Sequence, residues 1–496
     1  MKNPIEHLYF RAKCLPNSVA IQRLDGAITY RQLLEVVRGI AFKFRELGVR
    51  PSQVVVTCLP NRQMDWIVTL ALMHEAVVTC SNHGHSEIPQ ELGVDWVMSD
   101  RAVGGVSEDR LVIIDKPWLK DLPQVPGDFG ANAYEDMESL FRLVLTSGTT
   151  GHLKAACLSL DKVLNRCHST TTLYFNPEEI CLMALSTIGG FYVAMRKLLK
   201  GSILYHAPNL KDTIRLIAQF QVECLSGSPA QLAHFIEEVR QTSLRMTSLK
   251  LVWYAGSEAS PRLIEEIRQN LCTNVACWYG STEVGGVAVF LTHDEAYQPG
   301  LAGYCVPEAE IQIVNPDHQP LVGGEEGQIR IKTPYMAMSY YLNPEETTCW
   351  FRDGWFYTGD RGKLLDNGML VLSGRESELI NRGGVKVDPA AVDRHMQGFE
   401  GVIDAAAFGF ENQRGIEDIC AAIVASENFD MGELQKFLIG VLGKIRAPSV
   451  MLRVNEIPRN AMGKAMRGRL REEFGERLKG RLNQQEGPNQ KPTISS

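Results

Sequence analysis

One ten-residue segment, 145–154, concentrates hydroxyls and glycines before a single lysine, and it lies between two apolar runs. Glycine lets the backbone approach an anion closely, hydroxyls donate to phosphate oxygens, and a lysine adds a positive charge. The runs at 141–145 and 155–158 predict strands that support the loop. The segment therefore predicts a triphosphate site made of Thr146, Ser147, Gly148, Thr149, Thr150, Gly151 and Lys154.

Taken alone, a cluster of this composition also fits an ordinary turn. It is not a Walker loop, because Lys154 is followed by Ala155 and a strand-like run rather than by Ser or Thr on a helix. The interpretation therefore depends on the segments further along the chain.

Four further segments occur in order, each combining glycine or a turn with a charged side chain. They are Tyr279-Gly280-Ser281-Thr282-Glu283, Tyr357-Thr358-Gly359-Asp360, Gly374-Arg375 and Pro458-Arg459-Asn460-Ala461-Met462-Gly463-Lys464. With the first loop, they resemble the motifs of the adenylate-forming superfamily, which includes acyl- and aryl-CoA ligases, stand-alone adenylation domains and luciferases. The resemblance extends from about residue 5 to about residue 481.

The resemblance implies a nucleotide site for ATP and Mg²⁺. The first loop would hold the β- and γ-phosphates, although Leu153 stands where the family usually has proline. Thr282 would donate to the α-phosphate, and Glu283 would supply the carboxylate that a hard cation prefers. Tyr279, followed by Gly280, would lie against adenine.

The same resemblance assigns the rest of the nucleotide. Asp360 would accept bonds from both ribose hydroxyls, with Arg375 in support, and the bend Gly256-Ser257-Glu258 would form the adenine floor. A lysine beside a glycine on a polar loop is normally a solvated charge. Lys464 instead matches the family lysine that reaches the carboxylate and the α-phosphate, and it would neutralise the charge that develops during adenylation.

The resemblance also implies that Lys464 lies on a mobile C-terminal lid domain. Movement of this lid would allow a second, thiol-dependent step, with Gly383 and Gly384 lining the thiol channel. The acceptor would be coenzyme A or a carrier-protein phosphopantetheine. The hinge is expected at 375–377. Glu376 and Ser377 follow the Gly-Arg pair, and Ser377 stands where the family usually has Asp or Lys as the pivot.

The sequence says little about the site that binds the acyl group. By alignment with the family, the position that often holds His in CoA ligases, or Asp in enzymes that activate α-amino acids, falls at or near Thr187. No acidic residue is present there, so a buried α-ammonium would lack a partner and an ordinary amino acid is disfavoured. A medium acyl or aryl acid would be bordered by Ser186, Thr187, Gly189, Gly190, Gly285 and Gly286, with the glycines leaving room.

Periodicity predicts an α/β fold: a large N-terminal domain of layered α/β lobes plus a small β subdomain at 310–332, followed by a small α+β domain with a helix near 431–442. The resemblance implies that this last domain is a mobile lid. We expect the ATP- and acyl-binding domain at 1–374, the hinge at 375–377, the lid at 378–483 and a disordered tail at 484–496. Thr29 and Gln32 predict a capping box for a helix that ends at Gly48.

Composition restricts the partners. The net charge of −7 gives no general attraction to nucleic acid, and no apolar run is long enough to span a membrane. Twelve scattered cysteines without a C-x-x-C pair predict free thiols in a reducing compartment, hence a cytoplasmic enzyme.

Alternatives remain open at this point. The leading hypothesis is a ligase that makes an acyl-AMP and then an acyl-CoA. A stand-alone enzyme that loads a carrier protein would use the same residues, as would a luciferase-like oxygenase. A homologue retained only for binding is disfavoured because Lys154, Glu283, Asp360 and Lys464 are all present.

Overall fold

A computed structural model of the chain describes residues 3–82, 88–89, 92–147, 153–169, 178–291, 300–382, 385–411, 417–427, 429–460 and 463–485. The predicted α/β class is confirmed, and none of the helices in these ranges is long and apolar enough to cross a membrane. All twelve cysteines lie in these ranges as free thiols. Burial raises the pKa of several of these thiols, that of Cys58 to about 11.

The first lobe is a six-stranded sheet with helices packed against it. Its elements are α1 (Glu6–Cys14), β1 (Val19–Arg23), β2 (Gly26–Thr29), α2 (Tyr30–Leu47), β3 (Val54–Cys58), α3 (Arg62–His74), β4 (Val78–Ser81), β5 (Trp96–Ser99), β6 (Leu111–Ile113), α4 (Lys116–Lys120), β7 (Leu140–Ser147) and β8 (Leu153–Ser159). The strand order is β6-β5-β3-β4-β7-β8, and the pairs are parallel except β7 with β8. The Thr29–Gln32 capping box and the left-handed Gly48 cap of α2 are both confirmed.

The second lobe is built on one eleven-stranded sheet. Its elements are α5 (Leu160–Ser169), β9 (Glu179–Cys181), α6 (Ile188–Lys200), β10 (Leu204–Tyr205), α7 (Leu210–Phe220), β11 (Cys224–Gly227), α8 (Pro229–Arg240), β12 (Leu251–Ala255), α9 (Pro261–Asn270), β13 (Val275–Ser281), β14 (Gly285–Leu291), β15 (Leu301–Cys305), β16 (Glu310–Val314), β17 (Gly327–Lys332), α10 (Pro344–Trp350), β18 (Phe351–Arg352), β19 (Trp355–Leu364) and β20 (Met369–Arg375). The strand β10 instead pairs with β1 in a separate three-stranded sheet with β2.

The eleven-stranded sheet changes character along its width. Strands β9, β11, β12 and β13 are parallel neighbours, whereas β14, β15, β20, β19, β17 and β16 continue antiparallel from β13. The predicted short strands at 310–332 are therefore present as β16 and β17. They share the sheet of the second lobe, because β19, β20 and β15 connect them to β14 by backbone hydrogen bonds.

The C-terminal unit has its own elements and apolar clusters. They are β21 (Ile380–Arg382), β22 (Val385–Val387), α11 (Pro389–Gln397), β23 (Val402–Glu411), β24 (Glu417–Ala425), α12 (Met431–Leu442), β25 (Val450–Arg453) and α13 (Arg467–Gln485). A single 3-10 turn, Glu376–Glu378, precedes it at the expected hinge. Helix α13 extends through the first two residues of the segment expected to be a disordered tail, and the rest of that tail lies outside the described residues.

A buried guanidinium joins the first sheet to the turn before α6. Arg142, on β7, is 1 % exposed. It donates to Thr79 Oγ1 at 3.2 Å, to Ser81 Oγ at 3.0 Å and to the carbonyl of Leu185 at 2.8 Å. Its guanidinium also lies 4.2 Å from the ring centroid of Phe191. These contacts fix the entrance to α6, which carries the predicted acyl site, against β4 and β7.

Replacing Arg142 with methionine should keep most of the volume but leave these buried acceptors without a donor. We expect a loss of roughly 3 kcal/mol in stability and a lower melting temperature, measured by thermal denaturation followed by circular dichroism. The exposed Arg31 on α2 provides the matched control, Arg31→Met, which should melt as the unmodified protein does. Equal melting temperatures for the two variants would contradict this role of Arg142.

Candidate active site

The predicted phosphate loop is held between two paired strands. Thr146 on β7 lies opposite Lys154 on β8, and its hydroxyl donates to the Lys154 carbonyl at 3.4 Å. Ser147 ends β7. Gly148, Thr149, Thr150 and Gly151 lie outside the described residues. The two ends of the loop are thus on rigid supports, as the apolar runs predict.

Lys154 is buried in a pocket of acidic and aromatic groups. It is 6 % exposed, its Nζ donates to Glu346 Oε2, and it lies 5.0 Å from the Trp350 ring centroid and 5.4 Å from that of Tyr340. Burial opposes ionisation of Glu346, but hydrogen bonds from Lys154 and Trp350 outweigh it and lower the pKa of this carboxyl group. An ion pair therefore holds the lysine where the phosphate loop begins its second strand.

Arg166 fixes the turn that carries Thr282 and Glu283. This arginine on α5 is 2 % exposed, and it donates to the carbonyls of Thr282 at 2.8 Å, Glu283 at 2.7 Å and Tyr335 at 2.8 Å. A planar guanidinium that binds three carbonyls sets both the position and the orientation of the turn. Since α5 directly follows β8, the same short stretch of chain positions Lys154 and Glu283.

The Glu283 carboxylate is held by a tyrosine. Glu283 is 7 % exposed, and Tyr340 donates its hydroxyl to Oε1 at 2.6 Å. Burial, followed by the charge of Glu283, raises the pKa of Tyr340, so this hydroxyl keeps its proton. The described residues contain no cluster of three metal-ligating side chains. A single carboxylate with an oxygen to spare fits Mg²⁺, which is commonly held by one or two carboxylates together with substrate phosphates and water.

The predicted ribose site brings together three residues from different motifs. Asp360 on β19 lies opposite Arg375 on β20, whose Nε donates to Oδ1 at 2.8 Å, and the hydroxyl of Tyr279 on β13 donates to Oδ2 at 2.7 Å. Burial lowers the pKa of Arg375, but Asp360 and Glu378 outweigh it, and the net shift is upward. Each carboxylate oxygen retains a further lone pair, so two ribose hydroxyls can still donate to Asp360.

In the bend after β12, the carboxylate of Glu258 binds other parts of the protein. Gly256 has φ of +96°, a conformation that favours glycine, and it forms the bend with Ser257. Glu258 accepts from the backbone N–H of Gly300 at 2.7 Å and from Arg394 of α11 at 2.6 Å. Glycine thus shapes the predicted adenine floor, while the acidic residue connects it to the C-terminal unit.

Lys464 lies close to the ribose site. Its Nζ donates to Glu378, and its backbone N–H donates to Asn460 Oδ1 at 2.9 Å. Burial and the charge of Arg375 lower the pKa of Lys464, and Glu378 opposes this shift. The preceding Gly463, with φ of +75°, approaches the first turn of α8 so closely that a Cβ would lie 2.6 Å from Ala230 Cβ. The lysine is therefore near Arg375, and through it near Asp360.

The predicted acyl segment is tightly packed. Thr187 caps α6: its hydroxyl donates to the Ala184 carbonyl at 2.7 Å and accepts from the Gly190 N–H at 3.2 Å. Ser186, just before it, is half-buried. A Cβ on Gly190 would lie 2.2 Å from the Ala184 carbonyl oxygen, so this glycine permits a close approach of two backbone segments.

The other predicted acyl-site glycines also have close neighbours. A Cβ on Gly189 would lie 2.7 Å from Met183 Cε, and one on Gly286 would lie 2.7 Å from the Trp278 ring. Gly285 has φ of +79° and faces Tyr335, at 3.3 Å from the same ideal position. Met183 and Trp278 therefore occupy the space that these glycines leave. In the hairpin of β13 and β14, a Cβ on Gly280 would lie 2.0 Å from the carbonyl oxygen of Gly285, so glycine permits the close approach of the two strands.

Gly383 and Gly384, predicted to line a thiol channel, lie outside the described residues. Several residues of the site have no counterpart in the sequence predictions: Arg166, Tyr340, Glu346, Trp350 and Glu378. The adjacent tyrosines at 340–341 and the acidic pair at 345–346 are visible signals. Neither signal specifies its partner, which is Glu283, 57 residues from Tyr340, in one case and Lys154, 192 residues from Glu346, in the other.

Comparison with known proteins identifies the family. A model of the AMP-binding enzyme family matches residues 9–341. A 2-succinylbenzoate–CoA ligase of Bacillus velezensis is 29 % identical over 479 residues, which cover 93 % of this chain and 96 % of the relative. A medium/long-chain-fatty-acid–acyl-carrier-protein ligase of Mycobacterium tuberculosis is 25 % identical over 94 % of each chain.

Solved structures share the fold. The O-succinylbenzoate coenzyme A synthetase of Bacillus subtilis with AMP has a TM-score of 0.82 at 23 % identity, covering 94 % of this chain and 97 % of the other. ATP-bound MatB of Rhodopseudomonas palustris has a TM-score of 0.81 at 20 % identity, covering 96 % and 100 %. Because the family model spans more than half of the sequence, the chain belongs to the AMP-binding enzyme family, and the predicted class of acyl-adenylate-forming ligase is confirmed.

Proposed function

We propose that this enzyme uses ATP and Mg²⁺ to convert a carboxylic acid into an acyl-AMP, releasing pyrophosphate, and then transfers the acyl group to the thiol of coenzyme A. The observation that supports it most is the convergence of Lys464, Arg375, Asp360 and Tyr279 from four separate motifs. Screening pyrophosphate release over acyl, aryl and amino acids tests the proposal. No release from any acid would contradict it.

The residues have distinct roles in the first step. Asp360 and Tyr279 orient the ribose and adenine. Lys154 exchanges Glu346 for phosphate oxygens, which are a stronger negative partner, and Glu283 would hold Mg²⁺. When the carboxylate attacks the α-phosphorus, Thr282 and Lys464 stabilise the added negative charge. Bound Mg²⁺ would stabilise charge on the departing pyrophosphate.

The substrate is proposed to be an acyl or aryl acid rather than an ordinary α-amino acid. The described segment before α6 offers no carboxylate near Thr187 to pair with an α-ammonium group. A buried ammonium without a partner is strongly unfavourable. Amino acids should therefore give far less pyrophosphate than acids without the amino group.

The alternative acceptor is the phosphopantetheine of a carrier protein. The relatives of this chain include ligases of both kinds, one named for CoA and one for an acyl-carrier protein. Supplying free CoA or a holo carrier protein to enzyme loaded with acyl-AMP separates the two acceptors. We further propose a cytoplasmic location, supported by the free thiols, and no nucleic-acid partner, in keeping with the net charge of −7.

Replacing Lys464 with alanine should lower adenylation by about 10²–10³-fold, because a charged donor to the transition state is lost. Thioester formation from supplied acyl-AMP should change much less. Rapid-quench assays of the two half-reactions measure both. Lys444, an exposed lysine of the same C-terminal unit, provides the control Lys444→Ala. Equal losses in the two half-reactions would refute the assignment of Lys464 to the first step.

Glu283→Gln keeps the shape of the side chain but removes the charge that attracts the metal. We expect slower adenylation and a Mg²⁺ titration midpoint at higher concentration, both measured by pyrophosphate release. Glu345→Gln, at an exposed position of α10, should leave both quantities unchanged. If Glu283→Gln also left both unchanged, the metal role would have to be withdrawn.

Glu378 should set the alkaline limit of adenylation through Lys464. Burial and Arg375 lower the pKa of this lysine, and Glu378 opposes them. Removing the carboxylate in Glu378→Gln should lower the pKa further, so the ammonium form is lost at a lower pH. The alkaline limb of kcat/KM for adenylation should therefore move to lower pH.

The control for this experiment is Glu376→Gln. Glu376 is exposed, lies two residues from Glu378 and is bonded to Gln328 rather than to Lys464. Its alkaline limb should match that of the unmodified enzyme. A limb that stayed in place, or moved to higher pH, in Glu378→Gln would show that Lys464 does not control it.

A further inference from the structure

A pocket outside the nucleotide site opens between the beginnings of α3 and α6 and the ends of β9 and β10. Its cavity volume is about 60 Å³, which is room for a few water-sized groups, such as one charged end of a ligand. Its walls are largely apolar and include Trp66, Leu185 and Val193. Polar side chains also line it, among them Arg62, Gln63, His206 and Thr213. We call it the Arg62 pocket.

Arg62 supplies a positive charge without an acidic partner among the described residues. Its guanidinium donates from Nη1 to the Cys181 carbonyl at 3.3 Å. Burial lowers the pKa of Arg62, as expected for a cation with little solvation. Burial, followed by the charge of Arg62, also lowers the pKa of His206 to about 4. At neutral pH the pocket thus presents one cation and one neutral imidazole.

The pocket borders the predicted acyl segment. Gly190 and Met183 both line it, and Met183 also lies against Gly189. Two residues further along α6, the Tyr192 ring lies 5.6 Å from the guanidinium of Arg166, which holds the Thr282–Glu283 turn. Helix α6 therefore lies between the pocket and the Thr282–Glu283 turn. The N-terminal part of α6 contacts the pocket through Gly190 and Arg166 through Tyr192. The flexible side chain of Met183 lies between the pocket and Gly189.

We propose that the Arg62 pocket receives the far end of the carboxylic acid substrate, and that this end carries a second carboxylate. The inference rests on the proposed function, since one carboxylate must be at the adenylation site. A second carboxylate would accept hydrogen bonds from the Arg62 guanidinium, which has no acidic partner in the described structure. The apolar walls would contact the chain between the two charged ends.

The proposal also implies a minimum length for the substrate. A helix with its side chains is about 10 Å wide, so a ligand with one end on each side of α6 would need its two carboxylates at least about that far apart. Shorter diacids would not reach both ends. The predicted substrate class is therefore a diacid with several carbon atoms between its carboxyl groups.

The experiment compares linear diacids with monoacids of equal carbon number, over a series of lengths, by pyrophosphate release. The enzyme should prefer longer diacids by at least ten-fold in kcat/KM, because a site built for a charged group rejects an analogue that lacks it. Arg62→Met should raise KM for diacids at least ten-fold with little change in kcat, and should leave KM for monoacids unchanged. Arg62→Lys should restore part of the preference.

Two controls keep the outcomes distinct. The exposed Arg31 gives the matched variant Arg31→Met, and melting temperatures show whether each variant is folded. If acids are activated but Arg62→Met treats diacids and monoacids as the unmodified enzyme does, the inference about the Arg62 pocket is overturned while the proposed function stands. If no acid of either series releases pyrophosphate, the proposed function fails and this inference fails with it.

Discussion

The geometry of the site depends on the three bonds that Arg166 donates to backbone carbonyls. A buried guanidinium is tolerable only when its donors are satisfied, and here the acceptors are carbonyls of Thr282, Glu283 and Tyr335. Because Arg166 follows β8 by a few residues, this requirement ties the strand carrying Lys154 to the turn carrying Glu283. The residues proposed to bind the phosphates and the metal are therefore positioned by the same interaction.

The charged side chains of the site each have a protein partner that a substrate can replace or supplement. Lys154 pairs with Glu346, and Lys464 pairs with Glu378. Asp360 binds a tyrosine and an arginine yet retains lone pairs. The cost of burying each charge is thus offset in the free protein, and a phosphate competes with a single carboxylate for each lysine. Such preorganisation reduces the rearrangement required when the nucleotide binds.

The local motifs could be predicted from sequence, whereas their partners could not. Helix α12 has its predicted bounds, and the capping box of α2 is present, because both depend on residues within a few positions of one another. The Lys154–Glu346 pair joins residues 192 positions apart, and the bond from Arg166 to Glu283 spans 117. Periodicity and spacing carry no information on such contacts. Glycine content also misleads about free volume, since Met183 fills the space beside Gly189.

The contacts of the C-terminal unit with the candidate nucleotide site suit the lid movement that the sequence predicts. The Glu258–Arg394 pair is about a quarter exposed on each side, and such partly exposed pairs contribute only about 0–1 kcal/mol. Gly463 permits a close approach to Ala230 without adding a side chain that would interlock with it. Lys464, by contrast, takes its partner Glu378 from the hinge side of its own unit. In the proposed reaction, rotation would therefore withdraw Lys464 together with its counter-charge, so that this lysine keeps its partner.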